Sequence, residues 1–344
     1  MRLGGRLAGT LGLTLAVLFL AACAPAAIKP EDEPPLVWPD EIEVPARVTF
    51  VKAFSRPDEF GIAKGFFQRL SEVLFGASDA RLIRPMAVVA LNGVVYVADP
   101  GAKGVHRFDP ATEDYALIGR EDDAGLPSPV GLALGKAGEV YVTDSELALV
   151  LVIHPGAKTA VPVALPSLRQ PTGIAFDPVT GRLIVVDTAE HCVKIFNPDG
   201  TLHQRFGQRG GRDGEFNYPT LLWRDVQGKL YVTDSLNFRV QTFDAQGQFL
   251  RQFGQLGDGS GDNMRQKGVA TDSYGHVYIV DALFNAIQIF DFRGQLLLTL
   301  GTLGSDRGEF WLPVGIFIGA DDRIYIADSY NQRIQILRYI GGPT

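Results

Sequence analysis

Cysteine is nearly missing from this chain: Cys23 and Cys192 are the two in 344 residues. Two distant cysteines cannot staple a small disulfide-built fold. The sequence has no CxxCH, HExxH or GxSxG. Its nearest approach to a phosphate-binding loop, GLALGK at 131–136, has the wrong spacing and no following Ser or Thr. Covalent haem, a helix-borne zinc centre, a nucleophile elbow and a P-loop are therefore not written in it. Positive charge is the minority, 32 Lys and Arg against 39 Asp and Glu. The first 22 residues carry two arginines and no acid, so removing them takes the formal charge from −7 to −9. Most nucleic-acid affinity comes from neutralising phosphates, so an acidic chain without a basic stripe implies no nucleic-acid partner.

Long apolar runs are scarce as well. Leu11–Leu20 is too short to span a bilayer comfortably, and with Arg2 and Arg6 before it reads as a processing segment. It ends Leu20-Ala21-Ala22-Cys23. That sequence resembles the lipobox of bacterial lipoproteins. The resemblance implies a signal peptide over 1–22, cleavage before Cys23, palmitate-type acylation of Cys23 and attachment to a membrane. Ala24 in the next place implies the outer membrane. With Cys23 given to lipid, Cys192 has no disulfide partner and reads as a small buried residue at a strand start. Residues 23–45 are rich in Pro and acid, the composition of a semi-rigid spacer. Leu36, Val37 and Trp38 are too apolar for a spacer and are expected to dock on the folded body.

What the sequence has in abundance is repetition. LYVTDSLNFRVQTF at 230–243 returns as IYIADSYNQRIQI at 324–336. Each copy is an apolar run closing on an aspartate, a polar loop and a second apolar run. The aspartates are Asp99, Asp144, Asp187, Asp234, Asp281 and Asp328, at intervals of 45, 43, 47, 47 and 47. Six copies with several short strands each predict an all-β fold, a six-bladed β-propeller with four-stranded antiparallel blades from residue 85 onward, in a domain spanning 46–344. Inner strands open on Pro and Gly, as in Pro171-Thr172-Gly173. Turns such as Asn197-Pro198-Asp199-Gly200 reverse the chain where Gly permits positive φ. The continuously apolar strands fit blades buried on both faces. RVTFVKAF at 47–54 alternates like an outer strand, whereas the last repeat runs out at Tyr339. The first segment is thus expected to supply the last blade's missing strand and close the ring. Phe66, Leu70, Val73 and Leu74 form the stripe of a short helix over 61–75, packed on the rim.

With this grammar laid out, the units resemble NHL repeats. The pattern of strand, Asp, Asn three later and Arg five later is met by Asp234, Asn237 and Arg239 and by Asp328, Asn331 and Arg333. The Gly-Glu-Phe link before Pro appears at 214–216 with Pro219 and at 308–310 with Pro313. The match is specific in blades four and six and degraded in the rest: Ala286 stands where Arg is expected, and Leu147 and Leu149 replace Asn and Arg in blade two. The resemblance implies a binding platform, non-catalytic and without cofactor, serving an envelope protein or a small ligand. The alternative it leaves is a metal-dependent propeller hydrolase or lyase of the lactonase kind. For zinc, only His191 sits four residues after its blade aspartate, so no three-histidine site is predicted. Asp258–Asn263 (DGSGDN) places oxygen ligands like the start of a calcium loop, but the twelfth place is Val269 and no acid.

The repeated aspartates read as architecture, since six equivalent acids exceed what a catalytic site needs. The variable loop residues are the better candidates. On blades four to six the loops of one face carry Tyr218, Phe238, Phe284, Trp311 and Tyr330, with Arg239, Asn285, Asn331 and Arg333. Aromatics and Arg are enriched where proteins bind partners.

Overall fold

The computed structural model describes residues 34–40, 44–62, 80–120, 125–257, 259, 261–262 and 265–341. Met1–Pro35 and Leu36–Thr344 are separate compact units, and of the first only Pro34 and Pro35 are described. The expected leader, Cys23 and most of the spacer lie outside the described residues. So do the body of the helix expected over 61–75 and Asp258, Ser260 and Asn263 of the calcium-like loop.

Six blades make up the second unit. Their inner strands are Ala87–Leu91, Pro129–Leu134, Pro171–Asp177, Pro219–Arg224, Gln266–Thr271 and Ile316–Ile318. Each lies beside the next, and the sixth returns to the first, so the ring closes around a central channel. Within a blade the inner, second, third and outer strands pair in order and antiparallel, as in blade four, where Pro219 faces Asp234, Leu230 faces Phe243 and Phe243 faces Phe249. The loop face is where second strands end on the aspartate and inner strands begin.

Closure follows the expected scheme. Val48–Phe54 pairs with Arg333–Tyr339, Phe54 opposite Ile334 and Val48 opposite Tyr339. Val37–Trp38 adds a fifth strand outside it, and Trp38 packs on the core shared by blades five and six. Leu36–Trp38 thus dock on the body, where their apolar side chains leave water.

Burial separates the strands into two kinds. Every residue of Leu230–Asp234 and Arg239–Phe243 is buried, because middle strands have a neighbouring blade on each side. Outer strands alternate, as in Leu202–Phe206 and Leu296–Leu300, since blades diverge toward the rim. Continuous burial therefore holds for the middle strands and not for whole blades. Blades one and two depart further. Their outer strands, Asp114–Arg120 and Thr159–Pro162, pair in parallel and fuse the two blades into one eight-stranded sheet.

The Pro-x-Gly opening of the inner strands has a packing cause. The register slips at this point in blades two to five. A Cβ on Gly173 would stand 2.6 Å from Leu222 N and 2.7 Å from Thr220 O of the next blade. Gly268 N donates to Val314 O across the same kind of gap at 2.8 Å. Glycine here lets neighbouring inner strands touch backbone to backbone around the channel.

Candidate binding face

Each strand-end aspartate is fully buried. Its carboxylate accepts amides from the loop leading into its own blade: Asp99 from Ile83 and Arg84, Asp187 from Arg169 and Gln170, Asp234 from Asn217, Asp328 from Trp311. In blades four and six the motif completes a charged knot. Asp234 Oδ2 accepts from Asn237 at 2.8 Å and from Arg239 Nε at 2.9 Å. Asp328 Oδ2 accepts from Asn331 at 2.9 Å and from Arg333 Nε at 2.8 Å. A buried carboxylate is tolerable only with such partners. Most guanidinium donors left over are also taken: Arg239 reaches Gln252, Arg212 O and Glu215 O, and Arg333 reaches Ser305 O, Asp306 O and Glu309 O.

The knot has a member that sequence reasoning missed. Gln241 and Gln335, seven residues after their aspartates, each donate to the carboxylate at 3.1 Å and to the carbonyl of Glu215 or Glu309. Their Oε1 atoms accept the Gly214 and Gly308 amides. The signal was present, since the same place is Gln288 in blade five and Lys194 in blade three. Lys194 Nζ lies 2.9 Å from Asp187 Oδ2. Burial tends to raise the Asp187 carboxyl, but the Lys194 ammonium and the two amides outweigh it and hold it below the usual carboxylate range. In blade one His106 fills this place, its Nδ1 2.8 Å from Tyr115 Oη; burial and the nearby Asp99 push the Tyr115 phenol up to about 12.

A second repeated device sets the loop geometry. The fourth residue after every strand-end aspartate, from Lys103 to Gln332, has positive φ, and none is glycine. In blade three that residue is His191, whose Nδ1 accepts the Tyr218 amide; in blade five it is Asn285, whose Oδ1 accepts the Leu312 amide. Tyr218 and Leu312 are themselves at positive φ just before a proline. His191 and Asn285 each clamp the loop leading into the next blade.

The nine candidate loop residues therefore divide. Arg239 and Asn285 are buried; Arg239, Arg333 and Asn331 hold the scaffold together around buried carboxylates, and Asn285 does so on the Leu312 amide. Tyr218, Trp311 and Tyr330 are exposed at 42%, 48% and 55%, and Trp311 and Tyr330 sit 5.6 Å apart by ring centroids. Phe238 and Phe284 are half-buried. Two neighbours were missed: Leu236 and Leu283, two residues after their aspartates, are 52% and 45% exposed. They share with Tyr330 one place in the repeat, and alignment of the blades would have found them. The strand-end aspartates, the obvious carboxylates for a channel metal, face backbone amides. Cys192 opens the third strand of blade three, fully buried with its thiol pushed up by burial.

The channel between the inner strands holds a cavity of about 180 Å³ lined by Gly131–Leu134, Gly173–Phe176 and their equivalents. At the end away from the loop face the fourth position of each inner strand counted past the proline is small in most blades, but is Trp223 in blade four and Phe317 in blade six. The indole donates to Thr271 Oγ1 of blade five at 2.9 Å and meets Phe317 edge-on, with centroids 5.9 Å apart. Two rings from non-adjacent blades thus meet across the lower channel.

Comparison with known proteins agrees with this architecture. A family model described as a 6-bladed beta-propeller matches residues 220–297, and the NHL repeat model matches 168–196 and 310–337. The chain is a six-bladed β-propeller that carries NHL repeats. The repeat model finds blade three, which lacks the Asn and Arg of the motif, and blade six, which has both. Blade four falls under the broader propeller model. Within solved structures the propeller is similar to an auxiliary nutrient binding protein from Bacteroides thetaiotaomicron, at 13% identity and TM-score 0.61, over 76% of this chain and 70% of that one. It is also similar to the virginiamycin B lyase of Staphylococcus aureus, at 16% identity and TM-score 0.54, over 75% and 95%. At these identities the likeness is one of fold. The human E3 ubiquitin-protein ligase NHLRC1 is 40% identical over 53 residues, which is 15% of this chain and 13% of the ligase.

Proposed function

We propose that the protein is a non-catalytic binding scaffold of the bacterial envelope, held to the outer membrane by lipid on Cys23. It engages an envelope protein or a small ligand through the loop face of blades four to six. The observation that carries this reading is the division of labour within the loops. The charged motif residues are consumed in holding strands and links, whereas Tyr218, Leu236, Leu283, Trp311 and Tyr330 stand exposed on one face. Apolar side chains of this size gathered at loop tips contribute nothing to the core and are what partner surfaces use. Similarity in fold to a nutrient-binding propeller is compatible with such a role.

A photo-crosslinking residue at Tyr330, compared in intact cells with one at Val226 in an inner-to-second-strand turn, tests it. Defined adducts are expected from position 330 alone and are lost when Trp311 and Tyr218 become alanine. Equal adducts from both positions would remove the loop-face reading. Cys23→Ser is expected to move the protein from the membrane to the soluble fraction; retention in the membrane would remove the anchor.

A further inference from the structure

On the loop-face rim of the channel, blades three and four each carry a pair of hydroxyls, and the other four blades do not. In blade three Thr172, the residue after the inner-strand proline, lies 2.7 Å by Oγ1 from Thr188 Oγ1, the residue after the strand-end aspartate. In blade four Thr220 and Ser235 repeat the pair at 2.7 Å. Blade five substitutes Lys267 opposite Ala282, and blade six Val314 opposite Ser329. Blade two has the same combination in Val130 and Ser145, but there Ser145 Oγ lies 3.5 Å from Ser128 Oγ, a place that Leu312 takes in blade six. Ser329 Oγ is buried and has no hydrogen-bond partner among the described residues, and Ser329 is 1% exposed.

Lys267 and Ser329 are near neighbours through the backbone. Gly268 N donates to Val314 O at 2.8 Å, and Val314 N donates to Ala327 O at 2.9 Å. The equivalent of Lys267 in blade three, Thr172, donates its hydroxyl to Thr220 O of the next blade, which is the place Val314 holds relative to Lys267. The lysine is fixed at its backbone, where its carbonyl accepts Thr233 Oγ1 at 2.7 Å. Its half-buried side chain forms no ion pair among the described residues. Burial, and then the cation of Arg265, push its ammonium below the ordinary range. A cation held half out of water beside a second cation is an uncompensated cost that a bound anion relieves. The same face carries the exposed apolar residues Leu236, Leu283, Trp311 and Tyr330.

We infer that Lys267 and Ser329 form a carboxylate subsite at the channel rim, taking the acid group of a ligand whose apolar body lies on the loops of blades four to six. This deepens the binding reading above and rests on it. The ammonium supplies the charge, the Ser329 hydroxyl a directed hydrogen bond, and the aromatic loops the contact area. Specificity then comes from rejecting the neutral analogue, because a ligand without the acid leaves both groups unpaired.

Acetic anhydride labelling of the full-length protein in detergent, read at Lys267 by mass spectrometry with Lys229 as internal control, tests it. Hexanoate is expected to protect Lys267 saturably while hexan-1-ol and acetate do not, and Lys229 labelling stays constant throughout. Lys267→Met is expected to weaken hexanoate binding about tenfold or more, and Ser329→Ala by about three- to tenfold, in calorimetric titration. Unchanged Lys267 labelling at the highest soluble hexanoate, or equal protection by hexan-1-ol or acetate, overturns the inference. Loop-face crosslinks that persist alongside such a result would leave the binding face standing and remove only the carboxylate.

Discussion

The Tyr218 amide donates to His191 Nδ1 at 3.1 Å. This fixes the histidine tautomer, since a ring nitrogen that accepts must be unprotonated. It also ties a positive-φ residue of blade four to the preceding blade. His191→Ala is expected to destabilise the fold by about 1–2 kcal/mol by leaving the partly buried Tyr218 amide without its partner. His191→Asn is expected to recover most of that, because Asn285 does the same for Leu312 one blade pair later. Urea denaturation of the two variants decides it; equal losses would show that the ring and not the hydrogen bond matters there.

The Asp234 knot is expected to behave as a unit. Arg239→Met strands a buried carboxylate and should cost about 3–5 kcal/mol. Gln241→Leu removes one donor to the same oxygen and should cost about 1–3 kcal/mol. Because Asn237, Arg239 and Gln241 share Asp234 Oδ2, the double variant is expected to lose less than the sum of the singles. A double-mutant cycle in guanidinium chloride measures the coupling, and strict additivity would deny it.

Backbone contact around the channel makes Gly173 intolerant of any side chain. Gly173→Ala would set a Cβ 2.6 Å from Leu222 N and 2.7 Å from Thr220 O, neither of which is a flexible group. A loss of about 1–3 kcal/mol is expected. Gly211→Ala meets nothing within 4 Å and is expected to stay within about 0.5 kcal/mol of the parent. Thermal unfolding of both separates close approach from a general dislike of substitution.

Acid is expected to weaken blade three. Burial raises the Asp187 carboxyl, but the Lys194 ammonium and the Arg169 and Gln170 amides depress it further, so its folded pKa lies below the unfolded one. The unfolded chain therefore binds the proton first. The stabilisation is complete above about pH 4, the unfolded value, and is lost as pH falls through the folded value. Lys194→Met should lower stability at neutral pH and flatten the acid limb, because Asp187 loses the charge that depresses it. Melting temperature against pH for parent and variant checks both effects; an unchanged acid slope would assign the limb to other carboxylates.

Much of this scaffold was legible from spacing. Aspartates recurring at 43 to 47 residues fixed the blade count, and an orphan strand at 47–54 fixed how the ring closes, because an unpaired edge must find a partner. The candidate site was less legible for a physical reason. Arg239 and Tyr330 both sit in polar-looking loops, yet one is drawn inward by a buried carboxylate and the other has no such partner. Which way each faces depends on contacts with a link 24 to 27 residues upstream, as in the bonds from Arg239 to Arg212 O and Glu215 O, and a local pattern does not contain them. Lys267 and Ser329 were invisible for the opposite reason: each is unremarkable alone and becomes informative only against the hydroxyl pairs of blades three and four.

The contact between Trp223 and Phe317 makes the two ends of the channel unlike. A conduit needs two mouths, and here apolar rings meet across one of them while the other is framed by loops. A ligand arriving on the loop side would therefore face two apolar rings at the far end. The inner strands, touching backbone to backbone around the channel, form a floor against which the rim residues hold their positions.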